Sequence, residues 1–371
     1  MSLPESVVVL GSGAGALSCS VELSLAGLKV TLADLPRFAD GVNAVGAAGE
    51  IRLRCPWHGE TAAPVAATGT DPAAAIDGQE LIVVSVPAFG HQAWADLLAA
   101  ELKDGQSVLW VGEGGGALTL AATLRRTGRR PAVHIAETNS LPYGARVRGP
   151  GLITASRKSG GTLVAGLPAE NNPLVAIACK VWPWMSPAEN VWETTLLNFN
   201  AIDHVPPIIC NLGAIEGRTG SFLLWGEGAS PAVSRMIERI DAELLALRGA
   251  LGLTNTDGYA DYLVAQGFAP RREPTLHATL QSSSFAASTF PCGPDALKSR
   301  YLTEDVPYAL VLMASIGDEL DIPTPTIDSL IHLASVAAGT DFQAGGRTLA
   351  DLDLAGAGRD GLLTAAREGR W

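Results

Sequence analysis

Val7-Val8-Val9-Leu10-Gly11-Ser12-Gly13-Ala14-Gly15-Ala16 is the stretch on which the architecture turns. Four consecutive apolar residues, three of them β-branched, read as a strand buried on both faces of a parallel sheet. The glycines stop that strand, and a helix from about Gly15 to Ala26 follows, with Gly27 placed to cap its end. Val30-Thr31-Leu32-Ala33 is the next strand. Working outward, strands are expected at Leu81–Val86, Ser107–Val111 and Val133–Ala136, each followed by a turn and mostly by an Ala/Leu-rich helix. Strand–helix alternation of this kind predicts a doubly wound α/β sheet with right-handed crossovers.

The texture changes along the chain. Thr61–Gly78, rich in Ala, Thr, Pro and Gly, reads as a loop, and Leu152–Thr154 and Thr162–Ala165 read as short strands that finish the sheet. From Pro187 the pattern is helical, over Glu189–Ile202, Pro231–Leu251, Tyr259–Gln266, Ala309–Leu320 and Thr326–Ala338. Trp182-Pro183-Trp184-Met185-Ser186-Pro187 breaks regular structure. The expected organisation is α/β: an N-terminal Rossmann-type domain over 1–185 and a mostly α-helical domain over 186–371. A chain of 371 residues with 47% hydrophobic content can bury a core in each, which excludes a disordered protein. Thirty-eight acidic against 26 basic residues give a net charge of −12, a poor match to nucleic acid or an anionic membrane. Five scattered cysteines without a Cys-x-x-Cys pair, an N-terminus without signal-peptide character and the absence of long apolar runs point to a cytoplasmic protein. Cys55 and His58 are two ligands short of a metal site, so none is expected.

Gly11-Ser12-Gly13-Ala14-Gly15-Ala16 has the form G-x-G-x-x-A between strand and helix. The first glycine permits the tight turn, the second lets the backbone approach a pyrophosphate, and the small Ala16 lets helix and strand pack closely. The helix N-terminus then offers N–H groups and partial positive charge to the diphosphate. Asp34, roughly 20 residues on, is placed to take the adenosine ribose hydroxyls. A carboxylate there favours NAD over NADP, while Arg37 offers the opposite reading because it can pair with a 2′-phosphate. Val86 and Pro87 complete the expected cofactor edge. Gly112-Glu113-Gly114-Gly115-Gly116 again precedes a helix where close backbone approach is useful, and His91 reads as a solvated or capping histidine.

In the second half, Asn198-Phe199-Asn200-Ala201-Ile202-Asp203-His204-Val205-Pro206-Pro207 carries the chemistry. Asn200 and His204 are four apart and share a helix face. Pro206 should end or kink the helix just after His204, placing the histidine in its last turn, where the helix dipole favours the protonated form. Such a histidine suits proton donation near neutral pH.

The chain resembles the opine dehydrogenases through G-x-G-x-x-A, Asp34-Leu35-Pro36-x-Phe38, Leu141-Pro142-Tyr143-Gly144-x-Arg146, Asn200-x-x-x-His204-x-x-Pro207, Arg300-Tyr301-x-x-Glu304-Asp305-Val306-Pro307 and Ile322-Pro323-Thr324-Pro325-x-Ile327-Asp328. The resemblance implies NAD(P)H-dependent condensation of a 2-oxo acid, pyruvate for example, with the amine of an amino acid. It implies His204 as the catalytic acid/base, Asp305 as the carboxylate paired with it, with Glu304 able to exchange that role, and Asn200 as a substrate-binding residue. Arg146, Arg148 and Arg300 are candidates for pairing substrate carboxylates, Arg146 first and Arg300 with it. Trp182, Trp184, Trp192 and Trp225 read as packing rather than as a substrate cage. Two other readings stay open: a two-domain reductase of ketopantoate or glycerol-3-phosphate type, and a catalytically silent dinucleotide sensor. A homodimer is the candidate assembly.

Overall fold

The computed structural model describes residues 3–157 and 161–369. It divides into two compact units, one formed by Met1–Thr194 with Thr364–Trp371 and the other by Thr195–Leu363. This grouping differs from the expected division near residue 185. Met185–Pro187 still pairs with the sheet of the first unit, and Ala169 N–H donates to the carbonyl of Ala366, which fastens the end of the chain to that unit.

The first unit is built on an eight-stranded sheet. In spatial order its strands are Met185–Pro187, Thr162–Leu167, His134–Thr138, Ser107–Trp110, Leu81–Val84, Ser6–Leu10, Lys29–Ala33 and Ala67–Gly69. All neighbours are parallel except Thr162–Leu167, which runs antiparallel to His134–Thr138. Val7, Val8, Val9 and Leu10 are fully buried, as a central strand covered on both faces requires. The chain leaves Ser6–Leu10 toward Lys29–Ala33 on one side and returns to Leu81–Val84 on the other. The order therefore reverses beside the glycine turn, the point where open α/β sheets bind ligands.

Two expectations about the strands are corrected here. Thr61–Gly78 is not a loop: it carries the end of strand Gly59–Pro64, strand Ala67–Gly69 and the short helix Pro72–Ile76, which Asp71 caps by accepting from Ala74 N–H. Leu152–Arg157 does not finish the main sheet. It joins Gly59–Pro64, Glu50–Cys55 and Tyr143–Gly149 in a separate four-stranded sheet. Glu50–Cys55 alternates, with Ile51, Leu53 and Cys55 buried, and these side chains share one core with Cys19, Leu23 and Tyr143. The small sheet thus covers the first helix, Ala14–Leu25. Trp57 Nε1 donates to the buried Glu22 Oε1 of that helix at 2.9 Å, and His58 Nε2 lies 3.3 Å from Glu22 Oε2.

The second unit is mostly helical. Its longest helix, Pro231–Leu251, starts on the Ser230 hydroxyl, which accepts from Val233 N–H, and ends on left-handed Gly252. The expected single helix over Glu189–Ile202 is two, Val191–Leu196 and Asn200–Ile209. Among the described residues no helix is long and apolar enough to cross a membrane.

Gly116 opens helix Gly116–Arg126, and a Cβ there would lie 2.5 Å from ring carbons of the buried Trp110. Gly116→Ala should therefore destabilise by about 1–3 kcal/mol despite the better helix propensity of alanine. Gly249→Ala, in a helix where nothing lies within 4 Å of the new methyl, should be neutral or stabilising by up to about 1 kcal/mol. Urea unfolding of the two variants should show shifts of opposite sign or, at the least, a loss for Gly116→Ala alone.

Candidate active site

The glycine turn has little spare room. Gly11 has φ +113°, donates its N–H to Ala33 O at 2.8 Å, and would carry a Cβ only 2.7 Å from the carbonyl oxygen of Ser85 and 3.0 Å from Val86 Cγ1. Glycine is needed there on both counts. Gly15 is pressed as closely, with a virtual Cβ 2.7 Å from Ser85 Oγ and 3.0 Å from Leu141 Cδ1. Ala16 is fully buried between helix and strand. Gly13 precedes helix Ala14–Leu25 and has no side chain to cap it, so the N–H groups of Ala14, Gly15 and Ala16 are left for a bound anion. Val86 and Pro87 are half-buried, and Val86 lies against the turn.

Asp34 follows the second strand and is buried. Its Oδ1 accepts from Leu35 N–H at 2.8 Å, and its Oδ2 accepts from the Ser12 hydroxyl at 2.7 Å. The Ser12 bond ties the glycine turn to the carboxylate and fixes its direction while leaving further acceptor lone pairs. Arg37 is exposed, with its guanidinium 5.0 Å from the centre of the Phe38 ring. These residues fit a dinucleotide: a cradle that any side chain would fill, an uncapped helix start and an oriented carboxylate.

The second glycine loop is different in kind. Glu137, buried on strand His134–Thr138, accepts from Ala117 N–H at 3.0 Å through Oε2 and from the Thr194 hydroxyl at 2.9 Å through Oε1. The helix after Gly112–Gly116 thus has an internal acceptor at its start, and Gly116 exists to clear Trp110. His91 is not solvated. It is buried at the start of helix His91–Glu101, edge-on to Trp110 with ring centres 4.9 Å apart.

In the second unit, helix Asn200–Ile209 carries Asn200 and His204 one turn apart. The helix does not stop at Pro206. It runs through Pro206 and Pro207 to Ile209, so His204 sits in its middle rather than its last turn. The prolines remove the N–H groups that would bond the carbonyls of Ile202 and Asp203, and the complete burial of Val205 through Ile209 offsets that loss by packing. The helix dipole therefore does little for His204, and neighbouring carboxylates set its surroundings instead.

His204 Nδ1 lies 2.7 Å from Asp305 Oδ2, across 101 residues of chain, with side chains only 12% and 6% exposed. Of the two adjacent acids, Asp305 meets the imidazole, whereas Glu304 Oε2 accepts from Arg300 Nε at 2.5 Å. Tyr301 stacks on the imidazole with ring centres 3.6 Å apart and planes at 6°, and Trp225 stands 5.8 Å away. Sequence reasoning did not single out Asp203. Its Oδ1 is 3.6 Å from His204 Nε2, and its Oδ2 accepts from the Tyr259 hydroxyl at 2.5 Å. Burial, and then the Asp203 carboxylate, push the Tyr259 phenol well above its ordinary range, so it stays a donor. Adjacent residues on a helix do not share a face, and Tyr259 lies 56 residues away, so no local pattern announces this pair.

The candidate arginines belong to both units. Arg146 is exposed on strand Tyr143–Gly149 of the first unit, with Nη1 donating to Ala145 O at 2.8 Å, and Arg148 Nε donates to Thr154 Oγ1 at 3.1 Å. Arg300 belongs to the short helix Arg300–Thr303 that also carries Tyr301. Among the described residues no group of three or more His, Cys, Asp or Glu is placed to hold a metal. Chemically, the first unit can hold a dinucleotide, and the second presents an imidazole with a carboxylate on one nitrogen, an arrangement suited to proton transfer.

Known proteins resemble the chain over nearly its whole length. The family described as NAD/NADP octopine/nopaline dehydrogenase, alpha-helical domain, matches residues 187–338. The opine dehydrogenase of Arthrobacter sp. (strain 1C) is 32% identical over 364 residues, covering 97% of this chain and 98% of that protein. Among solved structures, octopine dehydrogenase in complex with NADH and agmatine has a TM-score of 0.81 at 19% identity over 98% of each chain, and its complex with NADH and pyruvate a TM-score of 0.80. NADP+-bound yersinopine dehydrogenase has a TM-score of 0.69 at 18% identity, over 90% of this chain and 91% of that one. The chain belongs to the opine dehydrogenase family and is an NAD(P)-dependent oxidoreductase that forms opines by reductive condensation.

Proposed function

We propose that this chain joins a 2-oxo acid, pyruvate first among candidates, to the amine of an amino acid and reduces the imine with NADH. The product is a secondary amine bearing two carboxylates. The observation that carries the reading is the shielded His204–Asp305 pair at 2.7 Å. For the imine to form, the keto oxygen must leave as water, and that departure needs a proton. His204 delivers it, while Asp305 holds the Nδ1 proton and stabilises the imidazolium that His204 becomes when it is recharged. Asn200, on the same helix, hydrogen-bonds carbonyl or carboxylate oxygens of the substrate. Arg300, steadied by Glu304, pairs one substrate carboxylate, and Arg146 is the anchor offered by the first unit. When bound at the glycine turn, the nicotinamide cofactor supplies the hydride that reduces the imine carbon. The octopine dehydrogenase structures, solved with pyruvate and with agmatine, support an oxo acid and an amine as the two partners. Free cysteines fit a cytoplasmic enzyme.

Asp34, buried and oriented by Ser12, would face a 2′-phosphate with like charge, so NADH should bind more tightly than NADPH. Parallel fluorescence titrations of both cofactors check this, and a clear preference for NADPH would assign selection to Arg37.

His204→Ala should lower turnover by about 10²–10⁴-fold and leave the Kd for NADH unchanged, because the histidine and the glycine turn belong to different units. Steady-state kinetics with cofactor titration decide the matter. Near-normal turnover would remove His204 from the mechanism.

Mass spectrometry of a reaction holding pyruvate, NADH and mixed amino acids should find an N-carboxyethyl amino acid. Finding only the 2-hydroxy acid would instead describe a simple keto-reductase.

A further inference from the structure

A hydrogen bond at Nδ1 fixes one edge of the His204 ring but not its plane. Torsion about the bond joining an imidazole to its Cβ is broad, so the ring can swing about the Asp305 contact and carry Nε2 away from the position it must hold. What stands in the way is Tyr301. Its ring lies parallel to the imidazole, at 6°, with centres 3.6 Å apart. Tyr301 is itself backed by the buried Phe290, 5.5 Å away on strand Thr289–Pro291, and Trp225 flanks both rings at 5.8 and 6.3 Å. Tyr301 and Asp305 are four residues apart, so one short segment supplies both the in-plane and the out-of-plane restraint. The segment begins at Ser299, whose hydroxyl accepts from Tyr301 N–H at 3.3 Å.

The stacking geometry says more. Two neutral aromatic rings avoid a face-to-face sandwich because their quadrupoles repel, and they slide or tilt instead. A cation over the face of a phenol ring is attracted to it. A parallel sandwich therefore suits an imidazolium better than a neutral imidazole. The charged groups that meet the ring agree: Asp305 at Nδ1 and Asp203 near Nε2.

We propose that Tyr301 is a positioning residue of the reaction, whose ring face holds the imidazole of His204 in its working plane and favours its proton-carrying form. This rests on the reading of His204 as the acid/base. Its working part is the face of the ring, not the hydroxyl.

Three variants test the assignment by steady-state kinetics with saturating oxo acid and amine. Tyr301→Leu removes the face and should lower kcat by about 10²-fold, the scale of a misplaced catalytic group, with the KM for NADH changed by less than about twofold. Tyr301→Phe keeps the face and should stay within about fivefold of the parent kcat. In a His204→Ala background, Tyr301→Leu should cost nothing further, because residues that act through one another are not additive. If Tyr301→Leu does not fold, as judged by circular dichroism, Tyr301→Met takes its place and is compared with Tyr301→Phe in the same way. A parent-like kcat for the Leu or Met variant overturns the proposal. So does an equal loss in Tyr301→Phe, or a loss that persists without His204. If His204→Ala alone retains the parent rate, the acid–base reading fails and the proposal falls with it; a defective His204→Ala beside an active Tyr301→Leu removes Tyr301 only.

Discussion

At Gly11 the first unit has room for a hydrogen atom and for nothing larger. The Ser85 carbonyl oxygen stands 2.7 Å from where a Cβ would be, and the backbone there is left-handed. That approach brings the ends of two neighbouring parallel strands together where the strand order reverses. Everything expected of the cofactor site follows from it. The first helix starts beside the reversal with no side chain capping its leading N–H groups, and Ser12 is carried to within 2.7 Å of the Asp34 carboxylate. A methyl group at Gly11 would displace the Ser85 strand end and the helix start together, not one side chain alone.

The second regularity is the use made of buried carboxylates. A chain with net charge −12 has acid to spare, yet its buried acids are not left to repel one another. Glu137 accepts from the first turn of helix Gly116–Arg126, and Glu243 does the same for Thr326 and Ile327 in helix Pro325–Ala338. Glu22 receives Trp57 and His58, and Asp203 receives Tyr259. Each replaces lost hydration with fixed donors, which is the condition for keeping a charge inside a protein. The Asp305–His204 pair is built in the same way, with the difference that its donor is one that can give its proton up.

How far the sequence could be read depended on the range of the forces involved. The Val7–Leu10 run, the glycine spacing and the Ala/Leu helices are local patterns with a single structural outcome, and the main sheet follows from them. The small sheet was hidden because Gly59–Pro64 and Tyr143–Gly149 are poor in β-branched residues, and their pairing is specified by distant partners. The course of the helix past Pro206 was misread for a related reason. Local rules weigh the lost hydrogen bonds, while burial of Val205 through Ile209 decides the outcome. At the candidate site, family motifs pointed to His204 and Asp305, but the spacing alone could not choose Asp305 over Glu304, since either lies about a hundred residues from the histidine. Asp203 and Tyr259 carried no local signal at all.

The segment from Thr364 onward gives the fold a constraint in time as well as in space. The hydrogen bond from Ala169 N–H to Ala366 O ties the segment from Thr364 onward to the first unit, so that unit is interrupted by the whole of Thr195–Leu363. Domains emerging from the ribosome ordinarily fold in the order of their synthesis. Here all eight strands of the main sheet precede Thr195, yet the first unit stays incomplete until the segment from Thr364 onward has been made. Removing that segment would therefore leave its mark on the unit that was made first.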